Sequence, residues 1–378
     1  MPDQHALLSA SSSDRWIHCP PSARLSEAFE DPGSSYAAEG TAAHAVCEYK
    51  LRKALGMQTE NPAGNIDSYD SSMEEYAESY VSFVLSRIAE AKKTCPDPVV
   101  LVEQRVDFSL WVEQGFGTAD CVIIADGLME IVDFKFGMGI LVDAEENPQL
   151  MCYGLGALDQ FGSIYDVDTV RLTIFQPRRD NLSWWEISKD NLLRWADGVL
   201  KPAAELAFAG EGNFLCGKWC TFCRAKSTCR ARADRNLELA GYDFAPAPLL
   251  TDEDVEDILG RIDDLVSWAN DVKEFALTQA IGGKVWSGYK LVEGKSNRRY
   301  VNDEAVAEAV EKTGFDPYEK KLLGITAMQK MLGKTRFEEV LAGLVEKPAG
   351  KPTLVPESDG RPAMNNAKTD FYDKEEIK

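Results

Sequence analysis

The sequence lacks the long apolar runs that would place it in a membrane. No stretch approaches the roughly 20 consecutive apolar residues that a spanning helix requires. The N-terminus, MPDQHALLSASSSDRW, has no basic segment followed by an apolar one, which is the pattern of a secretory signal peptide. We therefore expect a cytoplasmic protein with no membrane partner.

Positive charge is scarce: 41 lysines and arginines stand against 62 acidic residues, for a formal net charge of −21. This excludes indiscriminate nucleic-acid binding by the whole surface, because phosphate attracts positive charge. Two basic islands interrupt the acidic chain, Cys216 to Arg235 and Lys284 to Tyr300. The first, which includes Trp219 and Phe222, suits contacts with phosphates and bases or a solvated loop. The second is either an exposed hairpin or a surface for a single nucleic-acid strand.

A disulfide framework is not expected from the nine cysteines of a cytoplasmic chain. The segment CGKWCTFCRAKSTC has C-x3-C-x2-C-x5-C spacing, which is typical of a zinc or iron–sulfur site. Its thiols, with that of Cys19 in HCPP, make five candidates for four places: Cys19, Cys216, Cys220, Cys223 and Cys229. The remaining cysteines are interpreted as small buried hydrophobic side chains: Cys47, Cys95, Cys121 and Cys152.

Hydrophobic periodicity predicts an α/β arrangement in the first part of the chain. Helices are expected at 39–55, with Thr41 as the N-cap, and at about 72–93. Three strands follow, VVLVEQRVDF, GTADCVIIA and LMEIVDFKF, and then the helix NPQLMCYGLGALDQFG. A hairpin, TVRLTIFQP and LSWWEIS, precedes a helix at 189–209 that leads into the cysteine segment.

The second half of the chain changes character. TDEDVEDILGRIDDLVSWANDVKEFALTQA places its apolar residues along one stripe of a long helix, which favours a core-facing helix over a partner-binding face. We expect a first domain at 1–240 and a mainly helical accessory domain at 250–346. The Pro-rich, polar segment 347–378 is predicted to be a flexible tail.

The stretch EIVDFKFGMG combines burial with charge, since Asp133 and Lys135 share one face of an apolar strand. The Asp-Gly pair at 126–127 predicts a two-residue hairpin turn whose register sets Asp120 opposite Asp133. Facing carboxylates destabilise a sheet, and a Mg²⁺ or Mn²⁺ ion between them would remove the repulsion. The residues alone equally allow a solvated sheet end at which Lys135 neutralises both acids.

Further polar residues occur at helical spacing near this hairpin. Gln149 and Tyr153 share one helix face, as do His44 and Glu48. His44 is one of three histidines, and it is either a metal ligand on a small apolar helix face or an ordinary core or surface residue. Glu103, on the first strand, is either an acid that supports the site or a surface residue.

The order of these residues resembles a nuclease family. H…E…G-x-A-D…D-x-K…Q-x-x-x-Y, with CP upstream and a cysteine cluster downstream, is similar to the RecB-type branch of the PD-(D/E)xK nucleases. The resemblance extends over about 9–235. Within the branch it points to the iron–sulfur members, which include AddB-type nuclease domains and Cas4-like CRISPR nucleases, and to a phage and prophage group. The family's proline before the first acid is absent from GTAD, as is common in this branch.

The resemblance implies a restriction-endonuclease-like core, in which helices flank a mixed sheet. It implies a metal site made by the following groups: His44, Asp120, Asp133 and the Phe134 carbonyl. Lys135 would be the catalytic lysine, with Gln149 and Tyr153 beside the scissile phosphate. A 4Fe–4S cluster would be held by one distant and three local thiols: Cys19, Cys220, Cys223 and Cys229. Zinc on the four local cysteines, which include Cys216, remains the alternative.

These expectations combine into a Mg²⁺- or Mn²⁺-dependent deoxyribonuclease that hydrolyses phosphodiester bonds, as an exonuclease rather than an endonuclease. Its DNA partner would be a single- or double-stranded end. By the resemblance, its setting would be phage recombination or DNA processing, beside a partner such as a single-strand annealing protein. The rival hypothesis is a catalytically inactive nuclease fold that binds DNA or serves in assembly, and a third is a zinc-dependent DNA-binding regulator.

Overall fold

The computed structural model describes residues 6–29, 33, 35–66, 69, 71–243, 250–294, 300–319, 321–346, 353–355, 359 and 361–362. The chain divides into two compact units, Met1–Gln279 and Ala280–Lys378. This division lies inside a long helix, later in the chain than the predicted boundary at 240–250. The predicted tail at 347–378 lies almost wholly outside the described residues.

A five-stranded mixed sheet forms the centre of the first unit. Its strands are β1 (Val99–Asp107), β2 (Phe116–Ala125), β3 (Gly127–Phe134), β4 (Val167–Gln176) and β5 (Asn181–Ser188). They lie in the order β1-β2-β3-β4-β5. Only the β3–β4 pair is parallel, and the other pairs are antiparallel. The predicted α/β class and all five predicted strands are confirmed.

Helices flank the sheet and continue beyond it. Those of the N-terminal part are α1 (Ser13–His18), α2 (Ser22–Glu27), α3 (Ser35–Ala54), α4 (Ser71–Ala91) and α5 (Pro148–Phe161). They are followed by α6 (Lys189–Trp195), a π-helical turn (Ala196–Leu200), α7 (Lys201–Ala209), α8 (Arg230–Leu237), α9 (Ala240–Asp243) and α10 (Asp252–Ile281). The second unit contains α11 (Asp303–Glu311), α12 (Ile325–Leu332) and α13 (Lys334–Leu341).

The sheet is covered on both faces, which explains why its central strands are almost continuously apolar. On one face, Met129 and Ile131 of β3 pack into a core shared with α5, α6 and α7. On the other, Val132 and Phe134 pack against α3 and α4. This alternation follows from the two-residue period of a strand. It sends residues of the same strand to two different sets of helices.

Helix α5 is the crossover that the parallel β3–β4 pair requires. It approaches the sheet closely at two glycines of CYGLG. A Cβ atom at Gly156 would lie 2.9 Å from Val106 Cβ, and one at Gly154 would lie 3.1 Å from Val170 Cγ1. The glycines therefore let α5 lie directly on β1 and β4.

Two local predictions are wrong. Thr41 is not an N-cap, because α3 begins at Ser35 and the Thr41 hydroxyl donates to the Ala37 carbonyl within the helix. The stripe of α10 does not face a core, since no residue of that helix is buried; Leu259 and Val266 are each at least half exposed. Apolar spacing predicts the helix correctly but does not identify what covers it.

The second basic island, at 284–300, is described only in part, because 295–299 lie outside the described residues. Its described residues contain a turn and no strand, so they do not show the predicted hairpin. No helix in the described ranges has both the length and the apolar character to cross a membrane.

Candidate active site

The predicted hairpin turn and its register are confirmed. Ala125 pairs with Leu128, and the ladder runs on to Cys121 opposite Val132. Gly127 has a φ of +80°, which costs glycine little because it has no Cβ atom. The turn thus sets the alignment of the two strands that carry the candidate acids.

The prediction that Asp120 and Asp133 face each other on one side of the sheet is wrong. Ala119 and Val122 both pack into the core beneath α5, although residues three apart in an uninterrupted strand point to opposite faces. The alternation therefore slips at Asp120, which turns toward α3. Its Oδ2 accepts a hydrogen bond of 2.7 Å from the Phe134 N–H.

Asp120 forms a compact group with His44 and Glu103. His44 Nδ1 lies 3.1 Å from Asp120 Oδ1, and one potential ligand atom from each of the three residues lies within 4.8 Å of the others. Within the described ranges, no other set of three histidine, cysteine or acidic residues brings its potential ligand atoms this close together. An imidazole and two carboxylates are donors that Mn²⁺ and Mg²⁺ accept.

Glu103 enters this group through an irregularity in β1. Its φ is +50°, in the left-handed region that non-glycine residues rarely adopt. The β1–β2 ladder pairs Val102 with Cys121 and Gln104 with Ala119, and it skips Glu103. The run of three polar residues in VEQRV marks the interruption, but it does not reveal which side chain turns inward.

The cavity around this group contains a polar atom without a partner. Tyr80, on α4, lines it together with His44, Glu103 and Asp120. The Tyr80 hydroxyl is buried and makes no hydrogen bond within the described part of the chain. A buried hydroxyl usually has a partner, so the Tyr80 hydroxyl is an unsatisfied polar group beside the three candidate ligands.

Asp133, Lys135, Gln149 and Tyr153 form a second group on the α5 side. Lys135 Nζ lies 2.9 Å from Asp133 Oδ2, an ion-pair distance without hydrogen-bond alignment, and donates to Gln149 Oε1 at 3.0 Å. Gln149 Nε2 lies 3.2 Å from Asp133 Oδ1 and 3.0 Å from the Tyr153 hydroxyl. The structure therefore brings these four predicted residues together.

The start of α5 positions Gln149. Asn147 caps the helix, its side chain accepting bonds from the Gln149 and Leu150 N–H groups, and Pro148 occupies the first turn. Gly117 of β2 makes room for Tyr153, since a Cβ atom there would lie 2.6 Å from the tyrosine ring. Sequence spacing finds both polar residues, whereas the glycine that accommodates one of them is visible only in the fold.

Charges in the first group strongly influence one another. Burial would lower the pKa of His44, but the adjacent Asp120 carboxylate outweighs it and raises that pKa to about 9. Burial, and then the negative charge of Asp120, raise the pKa of Glu103 to about 7. The negative charge of Asp120 contributes to both pKa shifts, and a bound cation would offset that charge.

The second group contains an ion pair between the buried Asp133 and the half-buried Lys135. Burial raises the pKa of Asp133, and Lys135 acts in the opposite direction. Burial would lower the pKa of Lys135, but the charge of Asp133 outweighs it and raises that pKa. Lys135 is therefore held as an ammonium group and not as a neutral base.

One small cavity is shared by four of the five candidate thiols: Cys19, Cys220, Cys223 and Cys229. This is the set that the family resemblance implies, and Cys216 is not in the lining. No three cysteine sulfurs within the described ranges lie within 4.8 Å of one another. Tetrahedral zinc with bonds of about 2.3 Å needs its thiolates within about 4 Å, whereas a four-iron cube takes them at its wider corners. The four scattered cysteines are all buried, as predicted.

Helix α10 contacts the segment that follows these cysteines. Asp271 Oδ2 lies 2.6 Å from Arg232 Nη1, and Asp271 Oδ1 lies 2.8 Å from Lys226 Nζ. Arg232 is buried, so its charge depends on this partner. The first basic island is thus partly a structural ion-pair network and not wholly a free cationic surface.

The family model described as "Protein of unknown function (DUF2800)" matches residues 5–362, and the chain therefore belongs to that family. A solved structure described as "Crystal structure of SSO0001" is 17% identical, with 49% of this chain and 95% of that chain covered. Its TM-score is 0.22. A TM-score this low does not define a shared fold.

Proposed function

We propose that this member of the DUF2800 family is a Mg²⁺- or Mn²⁺-dependent deoxyribonuclease with a RecB-type PD-(D/E)xK core. The observation that carries the proposal is that a three-residue cation group and the group of Asp133, Lys135, Gln149 and Tyr153 adjoin each other. Asp120 of the first group accepts the N–H of Phe134, the neighbour of Asp133, and its charge acts on the Asp133 carboxyl. If the acids on β2 and β3 had only a structural role, the linked side chains of Lys135, Gln149 and Tyr153 beside Asp133 would not be needed. Exonuclease action on DNA ends, in phage recombination or DNA processing, is part of the same proposal.

His44, Asp120 and Glu103 would hold the cation, with Asp133 and the Phe134 carbonyl as further ligands. The bound ion would supply Lewis-acid stabilisation of phosphate charge and would lower the pKa of the attacking water. Asp120 is oriented for this role because the Phe134 N–H fixes one of its oxygens. His44 is oriented by Asp120 in turn.

Lys135 contributes a positive charge beside the reacting phosphate. Because its pKa is raised, it stabilises the negative charge that develops on the phosphoryl oxygens and does not accept a proton. Gln149 holds Lys135 and Asp133 in one arrangement through its two amide atoms. The Tyr153 hydroxyl lies next to Gln149 Nε2, and its own hydrogen can be donated to a phosphate oxygen.

We also propose a 4Fe–4S cluster on Cys19, Cys220, Cys223 and Cys229. These residues lie in the N-terminal segment and in the segment after α7, so the cluster would join two parts of the first unit that are about 200 residues apart in sequence. Its role would be structural, since metal-binding energy becomes folding energy where the ligands are far apart in sequence.

The test is cleavage of end-labelled linear DNA with Mn²⁺. Wild-type protein should shorten the labelled strand, and chelation should stop it. Asp133→Ala should lower the rate by about 10²- to 10³-fold, the scale expected for one preorganised electrostatic group. Asp168→Ala, an exposed acid on β4, is the matched control and should leave the rate unchanged. If wild type and Asp133→Ala leave identical, uncut substrate, the nuclease proposal is refuted, and the inactive nuclease fold and the zinc-dependent DNA-binding regulator remain as hypotheses.

A further inference from the structure

The loop at 137–147 joins two parts of the candidate active site. It begins two residues after Lys135, which directly follows β3, and it ends at Asn147, the cap of the helix that carries Gln149 and Tyr153. The contact of 3.0 Å between Lys135 Nζ and Gln149 Oε1 therefore depends on the path of this loop. Whatever fixes that path also sets the geometry of the site.

Apolar burial does not fix the first half of the loop. Every residue at 137–141 is exposed. Three of them carry large apolar side chains, and Met138, Ile140 and Leu141 are each at least half exposed. A surface segment with few buried contacts opens readily unless hydrogen bonds hold it. The hydrogen bonds made to this segment therefore determine its conformation.

The side chain of Gln176, at the end of β4, holds the loop. Its Nε2 donates to the carbonyls of Gly137 and Ile140, at 2.8 and 2.9 Å, and its Oε1 accepts the Val142 N–H at 3.2 Å. A carbonyl can only accept and an N–H can only donate, so these partners fix the orientation of the amide. Gln176 is only 1% exposed, and a buried amide that lost these partners would be left unsatisfied.

Two residues of β5 complete this arrangement. The β4–β5 hairpin pairs Gln176 with Asn181, and Asn181 Nδ2 donates to the Val142 carbonyl at 2.8 Å and to Gln176 Oε1 at 3.2 Å. Farther along β5, the Ser183 hydroxyl donates to the Asp143 carboxylate. We call Gln176, Asn181 and Ser183 the hairpin clamp.

The hairpin clamp is connected to both ends of the loop. At the first end, the Lys135 N–H donates to the carbonyl of the residue before Gln176, at 2.9 Å. At the second end, Asn147 Nδ2 donates to the Asp143 carbonyl at 2.8 Å, and Asn147 caps the turn that contains Gln149. A path of hydrogen bonds therefore runs from the β4–β5 hairpin to the backbone that carries each side chain.

We propose that Gln176 is a positioning residue, which holds the 137–147 loop in the path that keeps Lys135 against Gln149. The proposal rests on the proposed nuclease function and adds to it a residue that none of the site motifs contains. The hydrogen bonds of Gln176 go to the loop backbone and to Asn181, so its effect reaches Lys135 through the loop. The competing hypothesis is a buried glutamine that stabilises the fold and has no influence on the reaction.

The test compares Gln176→Met with a matched control, Thr173→Val. Methionine retains the approximate length of glutamine but removes every hydrogen bond of the amide. Thr173 lies on the same strand and is also buried, and its hydroxyl donates to Glu130 Oε1 of β3 at 2.9 Å and not to the loop. Both variants lose buried hydrogen bonds and should melt at a lower temperature than wild type. Only Gln176→Met should change the loop and the reaction.

Amide hydrogen exchange reports on the loop without DNA or metal. Exchange over 137–150 should be faster in Gln176→Met than in wild type, because the Val142 N–H loses its acceptor and the loop opens more often. Thr173→Val should exchange in this range like wild type. Wild-type exchange rates in Gln176→Met would overturn the proposal, because the loop would then be held without the amide.

Acylation of lysines, followed by mass spectrometry, reports on Lys135 itself. The side chain of Lys135 is 26% exposed, whereas that of Lys93 is 68% exposed and serves as the internal reference. The rate for Lys135 relative to Lys93 should rise in Gln176→Met, because the amine is no longer held against Gln149. The ratio should stay at the wild-type value in Thr173→Val. An unchanged ratio in Gln176→Met would contradict the positioning of Lys135.

Cleavage of end-labelled linear DNA with Mn²⁺ provides the measurement that a purely structural role would not change. Gln176→Met should lower kcat by about 10- to 100-fold with an unchanged KM, because a misplacement of about 1 Å can cost about 10²-fold and the loss falls on the transition state. Thr173→Val should keep the wild-type kcat. Asn181→Ala removes two bonds of the hairpin clamp, and it should lower kcat by a smaller factor. It takes the place of Gln176→Met if that variant does not fold.

The outcomes separate this proposal from the nuclease proposal. If wild type cleaves DNA and Gln176→Met has the same kcat as Thr173→Val, the positioning role is refuted and the nuclease stands. If wild type cleaves nothing, the nuclease is refuted. Exchange and acylation then decide by themselves whether Gln176 holds the loop and Lys135: faster rates support it, and wild-type rates overturn it.

Discussion

The candidate active site and the cysteine cavity are built differently, although each gathers residues that are far apart in sequence. In the active site the side chains are already tied together: Asp120 to the Phe134 N–H, and Gln149 to Lys135. In the cysteine cavity four thiols share the walls, but no three of their sulfurs lie within 4.8 Å of one another.

The difference follows from the backbone that carries each set. The acids and the lysine lie on or directly after strands held by ladder hydrogen bonds, and Gln149 lies in the capped first turn of α5. The cysteines lie at helix ends, in loops and in a single 3₁₀ turn, Lys218–Phe222. A site on regular elements is organised before its ligand arrives, whereas a site on loops is organised by the ligand.

The largest effect should come from removing a cluster ligand. Cys19→Ser should lose most of the iron and lower the free energy of unfolding by several kcal/mol, because binding energy contributes to folding at such a site. Iron and acid-labile sulfide per chain, with a thermal melt, measure this.

Cys216→Ser is the matched control, because Cys216 lies outside the cavity lining. It should retain iron and stability. The opposite result, with Cys216 essential and Cys19 dispensable, would favour zinc on the local cysteines.

A smaller effect is expected within the active site. Gln149→Ala should lower the Mn²⁺-dependent cleavage rate by about 10- to 100-fold, because Lys135 and Asp133 lose the group that orients them. The melting temperature should change little. The exposed Gln58→Ala should cleave normally, and equal rates for both variants would remove Gln149 from the mechanism.

The scaffold beneath Gln149 can be tested next. Gly156→Ala should lower the free energy of unfolding by about 2 kcal/mol, because the new Cβ atom would lie 2.9 Å from Val106. Gly40→Ala, in α3 with nothing within 4 Å, should be neutral or slightly stabilising. Equal urea midpoints for the two variants would show that α5 can shift away from the sheet without loss of stability.

The smallest effect should be seen at Glu103, which the sequence alone allows as either an acid that supports the site or a surface residue. Glu103→Gln should weaken Mn²⁺ binding about tenfold in calorimetry, because it removes one charged donor of three. The exposed Glu113→Gln should bind Mn²⁺ like wild type. An unchanged Mn²⁺ affinity in Glu103→Gln would show that Glu103 is not a ligand and that His44 and the aspartates hold the cation without it.

The sequence predicts much of the fold because its signals there are local. Alternation, the Asp-Gly turn and helical spacing correctly predict five strands, the hairpin register and the boundaries of α4 and α5 to within two residues. The same signals fail at Thr41 and along α10, where the structure depends on neighbours and not on spacing.

The sequence by itself determined the register of β2 and β3 and the helical pairing of Gln149 with Tyr153, since turn chemistry and periodicity act over a few residues. Only the tertiary structure decided that Asp120 turns toward His44, that Glu103 joins it, and that Cys19 lines the cavity that Cys216 does not. These outcomes depend on a slip in strand alternation and on contacts between distant segments. No local pattern encodes either one, because both follow from how the helices and the sheet pack together.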